Sequence, residues 1–225
     1  MQLNVKSFRR NEVLQYLGWR GNEIPSEVNA QIDTCIAETF ASAMPRYTYQ
    51  KYDIERTPEG IRLCGTDIYF PGEDVKILLA DCSRCVLMAA TLGARMEAAI
   101  RRAQIRDMTC AVILDCCGSA YIEAVCDAVE QEIASALDAR YLTDRFSPGY
   151  GDMPIAFQHK MIELLDTGRK IGLTLTDSCI LTPRKSVTAV IGLADRPQTK
   201  RFRGCAYCSM FETCTFRKAG KTCGK

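Results

Sequence analysis

The chain has 225 residues, of which 47% are hydrophobic and 25% charged, and its formal net charge is +2. A chain of this length can bury one sizeable core or two small ones. The small net charge gives no general attraction to nucleic acid or to an anionic membrane. The longest apolar runs, such as residues 86–92, fall far short of a membrane span, and the first ten residues lack the apolar core of a secretion signal. We therefore expect a cytoplasmic protein that binds neither nucleic acid nor membrane.

The first half of the chain alternates between helical and strand patterns bounded by glycine and proline. Helices are predicted at residues 11–19, 25–44 and 94–103. Short strands are predicted at residues 47–54, 61–64 and 66–70. The apolar run 86–91 fits a buried strand or a buried helix, and its pattern does not distinguish the two.

The second half is dominated by the strongest helical pattern of the chain. That pattern covers residues 109–141, and a further helix is predicted at 154–165, followed by a strand at 187–193. Together, these predicted helices and strands indicate an α+β chain, rich in helix around a modest, antiparallel sheet. We expect one α+β domain over residues 1–200, followed by a short cysteine-rich tail at 201–225.

Residues 145–154 read Arg-Phe-Ser-Pro-Gly-Tyr-Gly-Asp-Met-Pro, a loop dense in turn formers between two predicted helices. Arginine offers a planar, permanently charged fork that suits a carboxylate. Glycine lets the backbone approach a ligand closely, and tyrosine presents a flat face with a polar tip. The pattern is that of a small-molecule binding loop, and the alternative is a structural turn with an exposed arginine.

The loop resembles the S-adenosylmethionine-binding loop of the activation domain of cobalamin-dependent methionine synthase, whose motif is R-x-x-x-G-Y. Three further blocks follow in the family's order: a helix at 161–165, a G-x-x-L-T-[ED]-S block at 172–178 and a P-x-x-S-V-[ST] block at 183–188. The resemblance is specific from about residue 115 to 193. It is weaker over 1–114 and absent over the last 25 residues.

The resemblance implies a fold and a binding site. The family fold is a helical shell around a twisted antiparallel sheet. The residues implied to bind S-adenosylmethionine are Glu123, Arg145, Phe146, Ser147, Gly149 and Tyr150. Arg145 would pair with the carboxylate of the ligand and Glu123 with its amino group, whereas Phe146 and Ser147 would contribute through the backbone. Without the resemblance, Glu123 would be interpreted as an ordinary solvated glutamate of a helix. The block Lys185-Ser186-Val187 would support the wall of the pocket.

The resemblance also implies an activity. In that family, one electron and the methyl group of S-adenosylmethionine convert an inactive cob(II)alamin back to methylcobalamin. The chain would be the activation component of a methionine synthase, a methyltransferase. The family's cobalamin-carrying motif D-x-H-x-x-G is absent, because position 157, two residues before the single histidine His159, is phenylalanine. We therefore expect cobalamin to be carried by a partner, a corrinoid-binding methionine synthase subunit that lacks its own activation domain.

Two alternative functions remain open at this point. The chain could activate another corrinoid-dependent methyltransferase, or it could be a non-catalytic module that binds S-adenosylmethionine. No G-x-G-x-G loop follows a strand, which argues against the common methyltransferase fold. His159 is interpreted as a helix-surface residue rather than a catalyst.

Thirteen cysteines need an explanation in a chain expected to occupy a reducing compartment, where structural disulfides are rare. Eight of them lie among apolar or helical residues and are interpreted as core residues: Cys35, Cys64, Cys82, Cys85, Cys110, Cys116, Cys117 and Cys126. The Cys82/Cys85 pair has C-x-x-C spacing but no second pair close in sequence, so a metal or redox role for it is the minor alternative.

The tail contains a second kind of cysteine pattern. Cys205, Cys208, Cys214 and Cys223 form C-x2-C-x5-C-x8-C among basic residues. A segment with so little apolar content needs a bound group to fold, and four thiolates suit zinc or an iron–sulfur cluster. A cluster could deliver the electron that flavodoxin or ferredoxin would otherwise bring, whereas zinc would make the tail structural. The spacing does not decide between them.

Overall fold

The computed structural model describes residues 5, 7–19, 23–198, 212 and 218. The chain divides into two compact units, each assembled from three stretches. The first unit comprises Met1–Thr48, Ala89–Glu132 and Ile162–Val187. The second comprises Tyr49–Met88, Ile133–Met161 and Thr188–Lys225. The predicted boundary at residue 200 and the four cysteines of the tail lie outside the described residues.

Seven helices and eight strands are present in the part of the chain that the structure describes. The helices are α1 Arg10–Tyr16, α2 Ser26–Ser42, α3 Glu73–Leu78, α4 Ala94–Arg106, α5 Met108–Ala136, α6 Gln158–Leu165 and α7 Thr167–Ile171. The strands are β1 Arg46–Thr57, β2 Gly60–Leu63, β3 Tyr69–Phe70, β4 Cys82–Thr91, β5 Tyr141–Leu142, β6 Thr174–Leu175, β7 Leu181–Thr182 and β8 Ser186–Ala194.

Six of the strands form one sheet in the order β3-β2-β1-β4-β8-β5. The pairs β1–β2, β2–β3 and β5–β8 are antiparallel, and β1 and β2 are joined by a tight turn with Thr57 opposite Gly60. The ambiguous run 86–91 belongs to β4, a central strand, which explains why it is apolar without alternation. The predicted α+β class with an antiparallel sheet is therefore confirmed.

The first unit is built mainly from helices. In α2 the buried positions Ile32, Cys35, Thr39 and Ser42 follow the spacing of one helical face. The long helix α5 begins where the carboxylate of Asp107 accepts the backbone N–H groups of Thr109 (2.9 Å) and Cys110 (3.2 Å), which stabilises the helix start. Within the described residues, α5 alone is long and apolar enough to cross a membrane by length and composition, and 61% of that apolar window is buried inside the protein.

The predicted end of α5, at residue 141, is wrong by five residues. Asp138 adopts a left-handed backbone conformation (φ 47°), and the N–H of Ala139 bonds to the carbonyl of Ala134 at 2.9 Å. This arrangement is a Schellman-type helix end, in which the left-handed position is usually glycine. Because aspartate occupies that position, the sequence carried only a weak stop signal. The freed residues then form β5, which pairs with β8.

Sequence patterns missed the short elements α3, α7, β5, β6 and β7. Each contains six residues or fewer, which is too short to show a clear hydrophobic period. The predicted helix at 154–165 begins with a short 3-10 segment, Ile155–Phe157, and continues as α6.

Arg56 joins β1 to the end of α3 in the second unit. Its Nη2 atom donates to three backbone carbonyls, those of Leu79 (2.7 Å), Ala80 (2.9 Å) and Cys82 (2.8 Å). Carbonyls at the end of a helix have no partner within the helix, and a cation satisfies them while complementing the helix dipole.

We expect Arg56→Met to lower the free energy of unfolding by about 1–2 kcal/mol, because these charge-assisted hydrogen bonds are lost. Urea unfolding monitored by circular dichroism measures the change. The matched control is Arg62→Met, which removes an exposed ion pair with Glu55 (2.5 Å) and should lower the free energy of unfolding less than Arg56→Met does. Equal losses in the two variants would contradict the assigned role of Arg56.

Candidate functional site

The R-x-x-x-G-Y loop begins beside β8 in the second unit. The Thr143 N–H bonds to the Gly192 carbonyl (3.1 Å), and the Gly192 N–H bonds back to the Thr143 hydroxyl oxygen (2.8 Å). Three residues further on, Phe146 exchanges both backbone hydrogen bonds with Val190, at 3.0 and 2.8 Å. The entry to the loop is therefore held as an irregular continuation of the sheet.

Phe146 acts as an anchor in this arrangement. Its side chain is 1% exposed, and its backbone N–H and carbonyl are already paired with Val190. The resemblance implies that the backbone of Phe146 contacts the ligand. In the structure, the backbone N–H and carbonyl of Phe146 instead hold the loop to β8. Ser147 is half-buried, and its carbonyl accepts the N–H of Tyr150 at 3.0 Å.

The turn itself is tight. The Gly149 N–H bonds to the Met153 carbonyl (2.9 Å), and the Met153 N–H bonds to the Tyr150 carbonyl (3.0 Å). Gly149 and Gly151 have φ angles of 90° and 50°, in the left-handed region that favours glycine. The two glycines are therefore required by the backbone path of the turn.

The far end of the loop is fixed to the N-terminus of α3. The Asp152 carboxylate accepts the N–H groups of Glu73 (2.6 Å) and Asp74 (3.2 Å), and the Asp74 carboxylate accepts the Asp152 N–H at 3.2 Å. The first residues of a helix have unpaired N–H groups and a positive partial charge, so a carboxylate at this point is stabilising. We call this reciprocal arrangement the Asp152–Asp74 clamp.

Two glycines make room for the clamp. A Cβ atom at Gly72, which precedes α3 and has φ 93°, would overlap the Asp152 carboxylate. A Cβ atom at Gly151 would overlap the Asp74 carboxylate and lie 3.3 Å from the Phe146 ring. Sequence reasoning missed the clamp, although Gly72 followed by Glu73 and Asp74 is a helix-start signal that could have indicated α3.

Tyr150 has its ring at the surface of this fixed loop. Its side chain is 60% exposed, and the ring meets the buried Phe146 ring edge to face, with centroids 6.4 Å apart. Gly149 is also exposed, and Arg145 is half-buried. An exposed aromatic face beside exposed glycine backbone can stack a planar group, and the guanidinium of Arg145, on the same loop, can pair with a carboxylate.

Glu123 belongs to the first unit, on α5, and is half-buried. Burial raises the pKa of Glu12 above its ordinary value; the charge of Arg9 opposes this, and the charges of Asp127 and Glu123 add to it. Glu123 is therefore close enough to Glu12 for their charges to interact. Its role as a ligand contact stays a prediction, as do the roles of the loop residues.

The Lys185–Ser186 block is structural in the first unit. Lys185 is 14% exposed, and its Nζ atom lies 2.9 Å from the Asp115 carboxylate and donates to the Ser119 hydroxyl at 2.8 Å. A Cβ atom at Gly118 would come within 3.3 Å of the Lys185 side chain. Lys185 therefore ties the residue before β8 to α5, and support of a pocket wall by this block stays a prediction.

The remaining sequence expectations concern cysteines and His159. Six of the eight cysteines interpreted as core residues are buried, and Cys64 and Cys110 are half-buried. Burial raises the pKa of Cys82 to about 11 and raises that of Cys85 further, so this C-x-x-C pair is a pair of core thiols. Among the described residues, no group of three or more potential ligands is placed to hold a metal. His159 is exposed, as expected of a helix-surface residue.

A separate cavity of about 310 Å³ lies in the second unit. Arg84, Asp138, Arg140 and Asp195 are among its lining residues, and no residue of the R-x-x-x-G-Y loop lines it. The loop is thus a surface feature rather than the wall of this cavity.

We expect Gly151→Ala to destabilise the protein by about 2 kcal/mol, because the methyl group meets the Asp74 carboxylate and the residue has a positive φ. Gly172→Ala is the matched control: it also has a positive φ (71°), but no atom lies within 4 Å of the added methyl group. The control should lose only about 1 kcal/mol, the cost of backbone strain alone. Thermal and urea unfolding measure both variants, and equal losses would argue against the clamp.

Two comparisons show what the chain is similar to among known proteins. Residues 106–205 match the family model described as vitamin B12 dependent methionine synthase, activation domain. The fold is similar to that of the crystal structure of the MetH reactivation domain bound to AdoHcy, with a TM-score of 0.63 and 13% sequence identity, over 93% of this chain and 80% of that one. No curated protein sequence matches the chain. Residues 106–205, which include the loop, are thus similar to this activation-domain family, and the chain has the fold of the MetH reactivation domain.

Proposed function

We propose that this chain binds S-adenosylmethionine at the loop from Arg145 to Tyr150 and presents its methyl group to reduced cobalamin on a partner corrinoid protein in the cytoplasm. The partner that fits best is a cobalamin-dependent methionine synthase subunit without its own activation domain. The family match includes the loop, and the structural relative has AdoHcy bound. The observation that carries the proposal is an exposed tyrosine ring on a loop fixed to β8 at one end and to α3 at the other.

The chemistry of these residues fits the donor. S-adenosylmethionine has a carboxylate, which a guanidinium such as that of Arg145 binds in a bidentate manner, and a planar adenine, which can stack on Tyr150. Gly149, with no side chain, lets the donor approach the backbone. Glu123 is assigned to the donor's amino group on the resemblance alone.

The proposed reaction needs positioning rather than acid–base groups. A sulfonium methyl group is already activated for transfer, and its departure leaves neutral S-adenosylhomocysteine without any proton transfer. Cobalamin, when the partner supplies it, provides the reduced cobalt that accepts the methyl group. Holding donor and acceptor together converts an encounter of two molecules into a step within one complex.

The electron for the reduction must come from another group. Flavodoxin or ferredoxin is the proposed source if the tail cysteines Cys205, Cys208, Cys214 and Cys223 hold zinc. If these cysteines hold an iron–sulfur cluster, the cluster is the proposed donor within the chain. Metal and acid-labile sulfide analysis of protein purified without oxygen distinguishes the two forms.

We expect Arg145→Ala to weaken S-adenosylmethionine binding tenfold or more, corresponding to about 1.5–3 kcal/mol for a charge-assisted contact. Isothermal titration calorimetry under anaerobic conditions measures the dissociation constant. Arg169→Ala is the matched control, because Arg169 is 89% exposed and forms only a surface ion pair with Asp166 at 3.7 Å. An unchanged dissociation constant for Arg145→Ala would remove Arg145 from the site.

We expect Tyr150→Ala to weaken binding about three- to tenfold, because an aromatic stacking contact contributes about 0.5–1.5 kcal/mol. Tyr150→Phe keeps the ring and should bind within about twofold of the parent chain. The same titration measures both. Comparable losses in the two variants would show that the hydroxyl group, and not the ring face, contacts the donor.

We expect methyl transfer from isotope-labelled S-adenosylmethionine to cobalamin only when a corrinoid protein and a reductant are both present. Mass spectrometry of the extracted corrinoid measures the label. Methionine synthase without its activation domain should accept the methyl group, and a corrinoid protein from another methyltransferase system is the comparison. Transfer only to the latter would reassign the partner, and donor binding without any transfer would indicate a non-catalytic binding module.

A further inference from the structure

A group of thiols lies where α2 packs against α5 in the first unit. The Cys35 Sγ atom is 3.5 Å from the Cys110 Sγ atom and 3.6 Å from the Cys110 carbonyl oxygen. Cys117 follows Cys110 by two helical turns and is close enough for its charge to influence the pKa of Cys35. Seventy-five positions separate Cys35 from Cys110, so tertiary packing brings these thiols together.

The Sγ atoms of Cys35 and Cys110 are in non-bonded contact, and a small movement would bring them within the length of a disulfide bond. The two sulfur atoms of a disulfide are about 2.0 Å apart, so the Sγ atoms need to approach each other by only about 1.5 Å. Neither cysteine is in a disulfide in this structure. The Cys82/Cys85 pair, which has C-x-x-C spacing, is a different pair and is buried in the second unit.

The two thiols differ in their access to solvent. Cys35 is 1% exposed, whereas Cys110 is half-buried in the first turn of α5. Burial raises the pKa of Cys35 far above its ordinary value, and the neighbouring Cys110 raises it further. Cys110 is therefore the thiol that a reagent from solvent can reach, and Cys35 is the thiol that can react next.

We propose that Cys35 and Cys110 form a redox-active dithiol site whose oxidants are small disulfides such as glutathione disulfide. In the first step the Cys110 sulfur attacks one sulfur of glutathione disulfide, and a glutathione thiolate leaves. In the second step the Cys35 sulfur attacks the Cys110 sulfur, and a second glutathione thiolate leaves. The two protein thiols are oxidised, the glutathione disulfide is reduced, and the two released protons go to the two glutathione thiolates.

The site would connect two helices that are distant in sequence. A bond between Cys35 and Cys110 joins α2 to the start of α5 and restricts the unfolded chain over the residues between them. The oxidised protein should therefore unfold at a higher temperature than the reduced protein. This difference can be measured without S-adenosylmethionine.

The test uses the full chain incubated with glutathione disulfide without oxygen, then alkylated, digested and sequenced by tandem mass spectrometry. We expect a Cys35–Cys110 linked peptide in the parent chain and in the control Cys117→Ser, with a melting temperature several degrees above that of the reduced protein. Dithiothreitol should reverse both changes. In Cys35→Ala, Cys110 should remain as a mixed disulfide with glutathione.

Two results would overturn the proposal. One is that Cys35 stays reduced in the parent chain while other cysteines are oxidised. The other is that Cys35 is linked to Cys117 rather than to Cys110. Because the parent chain alone decides between these results, the test does not depend on the folding of any variant.

Discussion

The carboxylate of Asp152 at the N-terminus of α3 is the interaction on which the geometry of the candidate site depends. It satisfies two helix N–H groups and receives the return bond through Asp74. At the other end of the loop, Phe146 pairs with Val190 of β8. A loop rich in glycine loses much backbone entropy when it is ordered, and these two attachments offset that loss. Tyr150 can remain exposed because its neighbours, and not its own burial, hold it in place.

This division between fixed ends and an exposed centre suits a site that binds and positions a donor. A preorganised loop loses little further entropy when the ligand arrives, so more of the contact energy is available for affinity. The chain has a single histidine, and it is exposed on the surface of the second unit. The proposed methyl transfer does not need a proton donor or acceptor, which agrees with a site made of one arginine, one tyrosine and backbone.

The cysteines of the described chain fall into groups with different chemistry. Cys82 and Cys85 are core thiols of the second unit, and burial raises the pKa of both. Cys35 and Cys110 share no sequence motif, yet their sulfur atoms are 3.5 Å apart. Spacing along the chain could not indicate this contact, because the distance between thiols on different elements is set by how helices pack.

The sequence by itself determined the α+β class, the long elements and the R-x-x-x-G-Y loop, because hydrophobic periods and turn residues act over a few positions. The ordered blocks around the loop also indicated the family whose model matches residues 106–205. Only the tertiary structure decided that Asp138 ends α5, that Asp152 caps α3 and that Phe146 anchors the loop to β8. Each of these joins residues through space or uses an unusual residue in a left-handed conformation. Local patterns carry no information about partners 79 positions away, such as Glu73 and Asp152.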